Sequence, residues 1–289
     1  MMAIPDTCPA RNTARRSRGW RLALSGALVA ALLACTSVKT TAPGSVGIDR
    51  KQYMSPLVSE AQLEQGSLQA YTQVIGEARS KGALNVDANQ TRRVQTIAKR
   101  LIAQVGIYRQ DAAKWQWEAN VIESDDLNAW AMPGGKMAVY SGIIEKLQLT
   151  DAELAAIMGH EISHALREHG RERASTAANQ QIIAGIIGAA TGSPGGQQLA
   201  DMALRVAVGL PNSRVQESEA DRMGLELSAR AGYDPRAAVS LWQKMAKATS
   251  GGGTPAFLST HPSPEDRIEA LRTLAEQVMP LYRAAPRAG

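Results

Sequence analysis

Apolar residues recur along much of the chain at spacings of three and four, the pattern of helices with one buried face. Two such helices are predicted around residues 60 to 80 and 87 to 109. Further on, residues 115 to 123 alternate large apolar and polar side chains, and the sequence Pro133-Gly134-Gly135 separates two short apolar runs. Alternation and a Pro-Gly turn are typical of strands, so we predict a small sheet that includes a hairpin.

A longer helix is predicted to begin at Thr150, whose hydroxyl can cap it while Glu153 reaches back, and to run to about residue 178. It is followed by an apolar, Gly-rich insert, residues 180 to 210, whose longest unbroken apolar piece is too short to cross a bilayer. We expect this insert to form a helical hairpin packed near the site or a mobile lid over it. Two or three more helices follow, at about 213 to 231, 235 to 249 and 264 to 279. These elements predict a mostly helical α+β fold with a small sheet.

The net charge of +5 is concentrated at the front of the chain. Residues 1 to 34 contain five arginines and one aspartate, whereas the remaining residues carry 27 basic and 26 acidic side chains. A nearly neutral domain lacks the excess of basic groups on which nucleic-acid binding depends. We therefore expect no nucleic-acid partner.

The front end has the order of a secretory signal peptide, in which a basic stretch precedes a short apolar core and small residues. The sequence LLAC, which ends at Cys35, resembles the lipobox of bacterial lipoproteins, where the cysteine is acylated and becomes the new N-terminus. Cys8 would be removed with the leader, so the mature chain would keep one cysteine and could form no internal disulfide. An uncleaved anchor or a chance cysteine is the alternative.

We divide the chain accordingly into a lipoprotein signal peptide (residues 1–34), a flexible tether after the lipidated Cys35 (residues 35–59), and one domain (residues 60–289). By resemblance to inner-membrane lipoproteins, an aspartate after the cysteine would signal retention in the inner membrane. This chain has Thr36 at that position. We therefore expect an exported protein that is lipid-anchored in the outer membrane and faces the periplasm.

The segment MGHEISHALREHG, residues 158 to 170, contains three of the four histidines. His160 and His164 lie about 40° apart on one helix face, so both rings can reach one metal ion. Glu161 is offset enough to hold a water beside the metal, as the general base does in the H-E-x-x-H motif of zinc peptidases. A solvated helix with two histidines is the alternative. His169 would lie on the opposite side of a continuous helix, so we expect it to be a polar surface or second-layer group and not a ligand.

A catalytic zinc site uses three protein ligands and keeps an open position for water. Glu217 and Asp221 are four residues apart on a predicted helix, so the first can ligate while the second hydrogen-bonds a histidine ring. Glu219 points about 160° away from Glu217 on the same helix, so only one of these two can be the third metal ligand. A solvent-facing acidic helix start is the alternative, but it does not explain the apolar residues that follow.

Four motifs together carry a family resemblance: NAWAMPGG, HEISH, ESEAD and HPSPEDR, in that order. The chain resembles the HtpX-like gluzincin metallopeptidases, and most of all the secreted members of the LoiP and BepA types, over roughly residues 60 to 280. The resemblance implies a zincin-like metallopeptidase domain with one Zn²⁺ per chain. Its ligands would be His160, His164 and Glu217, with Glu161 as the base and Asp221 behind a ligand.

The resemblance also implies roles for residues that spacing alone does not single out. His261 would stabilise the oxyanion or occupy the metal's open position in a closed state, and Arg267 would contact the carboxylate ligand or the developing charge. By composition alone, HPSPEDR could merely begin a helix. The hairpin after Pro133 would be the edge that pairs with an extended substrate, and we assign this edge to Gly135, Met137 and Val139.

The expected function is that of a lipid-anchored zinc endopeptidase whose substrates are misfolded or unassembled envelope proteins. The substrates are inferred from the expected location and the resemblance. The competing hypothesis is a periplasmic chaperone or assembly factor with a structural zinc, because a fourth ligand at His261 would give the closed tetrahedral site typical of structural zinc.

Overall fold

The computed structural model describes residues 36–191, 211–249, 255–262 and 266–287. The predicted signal peptide, Cys35 and residues 192 to 210 of the apolar insert lie outside the described residues. The strands are β1 (Thr36–Val38), β2 (Gln52–Met54), β3 (Glu118–Ile122), β4 (Ala129–Met132) and β5 (Lys136–Tyr140). The helices are α1 (Glu60–Ser80), α2 (Ala88–Ile102), α3 (Ser141–Lys146), α4 (Asp151–Leu166), α5 (His169–Thr191), α6 (Arg214–Arg230), α7 (Ala237–Thr249), α8 (Ala256–Thr260) and α9 (Arg267–Ala284). The predicted mostly helical α+β class is confirmed.

Local sequence signals begin the two helices that carry the H-E-x-x-H and E-x-E-A-D motifs. The hydroxyl of Thr150 accepts a hydrogen bond from the backbone N–H of Glu153, and the Glu153 carboxylate accepts one from the backbone N–H of Thr150. This is the capping box predicted for α4. Ser213 and Gln216 form the same reciprocal pair at the start of α6.

A close helix contact holds α4 against α6. A Cβ atom added to Gly159 of α4 would lie 2.8 Å from the carbonyl oxygen of Gly224 of α6, and one added to Gly224 would lie 2.7 Å from the backbone nitrogen of His160. Only glycine permits two helix backbones to approach so closely. The two motif-bearing helices are therefore in direct backbone contact beside the histidines.

The sheet has the strand order β3-β5-β4, with β3 parallel and β4 antiparallel to β5. The predicted hairpin is confirmed, and its turn uses Gly134 and Gly135 at φ 81° and 87°, a backbone conformation that glycine adopts freely. The assignment of Gly135, Met137 and Val139 to an edge strand is wrong, because β5 is the central strand and Met137 and Val139 are only 1% and 2% exposed. The local turn pairs β4 with β5, whereas the non-local strand β3 covers the other side of β5.

The prediction of a flexible tether is wrong for the part of it that the structure describes. Strands β1 and β2 pair antiparallel, and the loop between them buries Val46 and Ile48, at 1% and 5% exposure. Met54 of β2 is fully buried. These apolar residues occur singly in a Gly- and Thr-rich stretch, so they form no periodic pattern that the sequence would reveal. The folded domain therefore begins well before residue 60.

The helix that carries His160 and His164 is shorter than the sequence predicts. It ends at Leu166, Glu168 adopts a positive φ of 51°, and a new helix, α5, begins at His169. A positive φ at a residue other than glycine interrupts a right-handed helix. The chain therefore turns at this point, and His169 does not occupy the opposite face of α4.

Candidate metal centre

His160 and His164 project from one face of α4, and their Nε2 atoms lie 3.0 Å apart. Glu217 approaches from α6, with Oε2 at 3.4 Å from Nε2 of His160 and Oε1 at 3.3 Å from Nε2 of His164. All three side chains are buried. The structure thus brings together the three residues that the sequence predicts to be metal ligands.

His261, which directly follows α8, completes a group of four. Its Nδ1 atom lies 3.0 Å from Oε1 of Glu217 and 3.3 Å from Nε2 of His160. Its ring stacks on Phe257, with the ring centroids 4.4 Å apart. Each of these four side chains offers one ligand atom, and the four atoms lie within 4.8 Å of one another. The four residues are His160, His164, Glu217 and His261.

The donor set fits zinc. Tetrahedral zinc with bonds of about 2.0 to 2.1 Å places neighbouring ligand atoms about 3.3 Å apart. The separations from His160 to His164 and from Glu217 to each of them, 3.0 to 3.4 Å, match this spacing. Imidazole nitrogens with one carboxylate suit zinc, whereas calcium and magnesium prefer oxygen ligands. The site could therefore hold a zinc ion with three or four protein ligands.

Glu161 lies beside this group. Its Oε1 atom is buried and has no hydrogen-bond partner among the described residues, and Nε2 of His261 lies 3.4 Å from it. Burial raises the pKa of Glu161, while the positive charge of nearby histidines and the backbone N–H of Ala131 lower it, with a net increase. A buried carboxylate with a free oxygen next to a metal site can accept a proton from a water molecule there.

Asp221 and Arg267 form a second layer around the candidate ligands. Oδ1 of Asp221 lies 3.0 Å from Nδ1 of His160, the ring nitrogen that faces away from Glu217. The Arg267 guanidinium donates to both oxygens of Asp221, at 2.7 and 2.8 Å, and to Oε2 of Glu217, at 3.0 Å. It also stacks 3.5 Å from the centre of the Trp242 ring. Arg267 therefore fixes two carboxylates, one of which orients His160.

The charges of the site shift the ionisation of its members in opposite directions. Burial alone would lower the pKa of His160, but the carboxylates of Glu217 and Asp221 outweigh it and raise that pKa to about 9. Burial dominates at His164, whose pKa falls well below its ordinary value of 6.5. Burial would raise the pKa of Glu217, yet the surrounding histidines hold it far below its usual range. Glu217 is therefore a permanent carboxylate, as a metal ligand must be.

His169 and Glu219 lie behind His164, on the side away from Glu217. His169 is fully buried, which excludes the surface position left open by the sequence and leaves the second layer. Glu219 is buried too, outside the group of four, and its partners include Arg50 of the loop before β2. Sequence reasoning missed Arg50 because it placed that stretch in a tether. Its only signal in the sequence is a single arginine between Asp49 and Lys51.

Comparison with known proteins places these residues in a family. The sequence pattern of peptidase family M48 matches residues 88–275. The chain is 36% identical over 179 residues to the mitochondrial metalloendopeptidase OMA1 of Schizosaccharomyces pombe, an overlap of 62% of this chain and 51% of that protein. It is 36% identical over 176 residues to OMA1 of Bos taurus (56% of this chain, 33% of that protein). It is 27% identical over 218 residues to a beta-barrel assembly-enhancing protease of Yersinia pestis (71% and 43%). The chain thus spans about a third to a half of these relatives.

Proposed function

The chain belongs to peptidase family M48, and from this premise we propose that it is a zinc-dependent metalloendopeptidase. The observation that carries the proposal is the convergence of His160, His164 and Glu217 beside the free carboxylate oxygen of Glu161. Its relatives from a fungus, an animal and a bacterium are known as metalloendopeptidases and a protease, which supports the same chemistry.

In this proposal, His160, His164 and Glu217 hold the zinc ion. When bound, zinc would polarise the peptide carbonyl and lower the pKa of a water molecule next to it. Glu161 would accept the proton of the attacking water and pass it to the leaving amine. Asp221 Oδ1 lies 3.0 Å from Nδ1 of His160, so it would keep the ring proton on Nδ1 and leave Nε2 free to bind the metal.

Strand β4 offers an edge on which an extended substrate can pair. It has one strand neighbour, β5, among the described residues. In an antiparallel pair, every second residue turns its backbone groups towards the neighbouring strand. Asn128 accepts a hydrogen bond from Tyr140 of β5, so Ala131, three residues further along, turns its backbone groups away from β5. The backbone N–H of Ala131 also lies near Glu161, whose pKa it lowers. A peptide added at β4 would therefore pass beside the proposed base.

His261 bears on how the site is regulated. Its ring nitrogen lies with the three proposed ligands, so it can supply a fourth donor. In that arrangement the position needed by water and substrate would be filled, and His261 would have to withdraw before each turnover. Arg267 could then contact the carboxylate ligand in either state, because it sits on α9 and not on the segment of His261.

The four-donor arrangement also supports a second candidate function, a chaperone or assembly factor in which a closed zinc site is structural. Incubation of the purified protein with casein, with and without a chelator, separates the two. A Glu161→Gln variant and a Glu226→Gln variant, which alters a buried carboxylate bonded to Tyr108, should both be compared with the wild type. Cleavage by the wild type and Glu226→Gln but not by Glu161→Gln supports the peptidase. Cleavage that persists in Glu161→Gln refutes the proposed base, and cleavage by none of the forms favours the chaperone.

We also propose that the protein is exported and lipid-anchored at Cys35, with misfolded or unassembled envelope proteins as substrates. Support comes from the basic, apolar and small-residue order of residues 1 to 35 and from the bacterial assembly-enhancing relative. That relative supports the BepA-type resemblance, while the likeness to HtpX and LoiP stays a prediction. In the part of the chain that the structure describes, no helix is long and apolar enough to span a membrane. A Cys35→Ala variant should leave the membrane fraction and appear in the soluble fraction, and unchanged sedimentation would refute lipidation.

A further inference from the structure

Nδ1 of His164, the ring nitrogen that faces away from the proposed metal site, contacts another histidine and not a carboxylate. Nδ1 of His164 lies 2.8 Å from Nδ1 of His169, and Nε2 of His169 lies 3.0 Å from Oε2 of Glu219. Both imidazole rings are buried. His160, in contrast, reaches the carboxylate of Asp221 directly.

A metal bound at Nε2 of His164 would fix the positions of the protons along this series of contacts. Nε2 of His164 faces Glu217 and His160, so a His164 that binds a metal there carries its proton on Nδ1 and donates it to His169. His169 must then accept on Nδ1 and carry its own proton on Nε2, which it donates to Glu219. With Glu219 ionised, every nitrogen and the carboxylate oxygen have a matching partner in this arrangement.

Two arginines hold Glu219 in place. Arg50 donates from Nε to Oε1 and from a terminal nitrogen to Oε2, both at 2.9 Å, and Arg167 donates to Oε1 at 2.9 Å. Arg50 also donates to both oxygens of Glu172, at 2.6 and 2.9 Å. A guanidinium bound at two carboxylates is held rigidly, because its donors form a planar fork.

Arg50 belongs to the N-terminal segment, residues 36–59, which lies outside the residues 88–275 that match the family pattern. The same segment reaches Arg167 through two further contacts. Gln52 donates to the carbonyl oxygen of Arg167, and the Arg167 guanidinium donates to the hydroxyl of Thr41 at 3.1 Å. The N-terminal segment therefore packs its polar side chains against the back of the proposed metal site.

We propose that His169, Glu219 and Arg50 are positioning residues that set the tautomer and the ring orientation of His164, so that the N-terminal segment completes the metal site. This inference rests on the proposed ligand set. Hydrogen-bond partners behind a metal-binding histidine typically change metal affinity 10- to 100-fold when they are removed. Because His169 lies between His164 and Glu219, the carboxylate that orients His164 is about one imidazole ring further from the metal than Asp221 is. Arg50 holds that carboxylate in place.

The zinc dissociation constant, measured by competition with a chromophoric chelator, tests the proposal without reference to catalysis. His169→Phe keeps a buried ring but offers no acceptor to His164, and we expect its zinc affinity to fall about 10- to 100-fold. His169→Asn keeps an acceptor near the Nδ1 position and is tolerated at a helix start, so it should recover most of that loss. Tyr108→Phe, which removes a buried hydrogen bond to Glu226, is the control for general destabilisation and should bind zinc like the wild type.

The contribution of the N-terminal segment is tested by Arg50→Met and a matched control, Arg93→Met. The two arginine side chains are similarly exposed, 31% and 28%, and both form ion pairs, but Arg93 pairs with Asp151 at the start of α4. We expect Arg50→Met to weaken zinc binding severalfold and Arg93→Met to leave it unchanged. With four histidines in the chain, nitrogen NMR of the zinc-loaded protein should also resolve His164 as the Nδ1–H tautomer in the wild type.

Equal zinc affinity in His169→Phe and the wild type overturns the proposal, as does equal loss in the Phe and Asn variants, since the acceptor would then be irrelevant. A loss in Arg93→Met as large as in Arg50→Met would overturn the part assigned to the N-terminal segment. Failure of the wild type itself to bind zinc would refute the proposed function, which is a distinct result.

Discussion

Because Gly159 and Gly224 are in close contact, we expect the addition of a single methyl group at this point to lower both the stability and the zinc affinity of the protein. In Gly224→Ala, the added methyl group would lie 2.7 Å from the nitrogen of His160 and 2.9 Å from its Cα, where ordinary contact begins at 3.4 Å. These neighbours are backbone atoms of a buried helix and cannot rotate away. Helices α4 and α6 would therefore have to separate by about 0.5 to 0.7 Å, as judged from these contact distances.

Such a separation would act on stability and on metal binding together. Overpacking of this kind costs about 1 to 3 kcal/mol, of which the better helix propensity of alanine returns up to about 1 kcal/mol. His160 and His164 belong to α4, whereas Glu217 belongs to α6, so the separation would move Glu217 away from the two histidines. Metal–ligand distances tolerate about 0.2 Å, so we expect zinc affinity to fall tenfold or more.

Urea denaturation and a zinc competition assay measure the two effects. Gly76→Ala is the matched control, because Gly76 lies in α1 with nothing within 4 Å of an added Cβ. It should be as stable as the wild type or slightly more stable, with unchanged zinc affinity. A Gly224→Ala protein with the wild-type stability and zinc affinity would refute the argument that this helix contact sets the ligand geometry.

Three further predictions follow from the charges and burial of named residues. Burial would lower the pKa of His160, but its carboxylate neighbours raise it to about 9 from 6.5, so the zinc-free protein should lose stability in urea as pH rises from 6.5 through 9. Zinc competes with that proton, so zinc affinity should rise over the same range, and a flat profile would contradict the shift. In Arg267→Lys, a single ammonium group cannot bind both Asp221 and Glu217 as the forked guanidinium does, so zinc titration should show binding about tenfold weaker or more. Unchanged zinc binding would contradict the role of Arg267 in fixing Asp221. Met54→Ala should lower the free energy of unfolding by about 2 to 5 kcal/mol and the exposed Tyr53→Ala by far less, whereas a flexible tether would give no loss in either.

Much of the site could be predicted from the sequence because its components are local. The spacing of His160 and His164, and that of Glu217 and Asp221, follow from the helix period alone. The capping box at Thr150 and the Gly-containing hairpin turn are likewise short-range signals. The group of four and the contact of Asp221 with His160 agree with what these signals and the family resemblance indicate.

Which distant segments of the chain meet depends on tertiary packing and could not be predicted from local patterns. The break at Glu168 depends on one positive φ, and without it His169 would face away from His164. Strand β5 is central because β3 pairs with it in parallel although β4 lies between them in the sequence, an arrangement that no turn signal encodes. Arg50 reaches Glu219 from a segment whose buried residues occur singly. Helix periods and turns are encoded by neighbouring residues, whereas burial and long-range pairing depend on how all the elements pack. Local spacing and the family resemblance therefore predicted the candidate ligands, and the packing of the elements set which residues lie behind them.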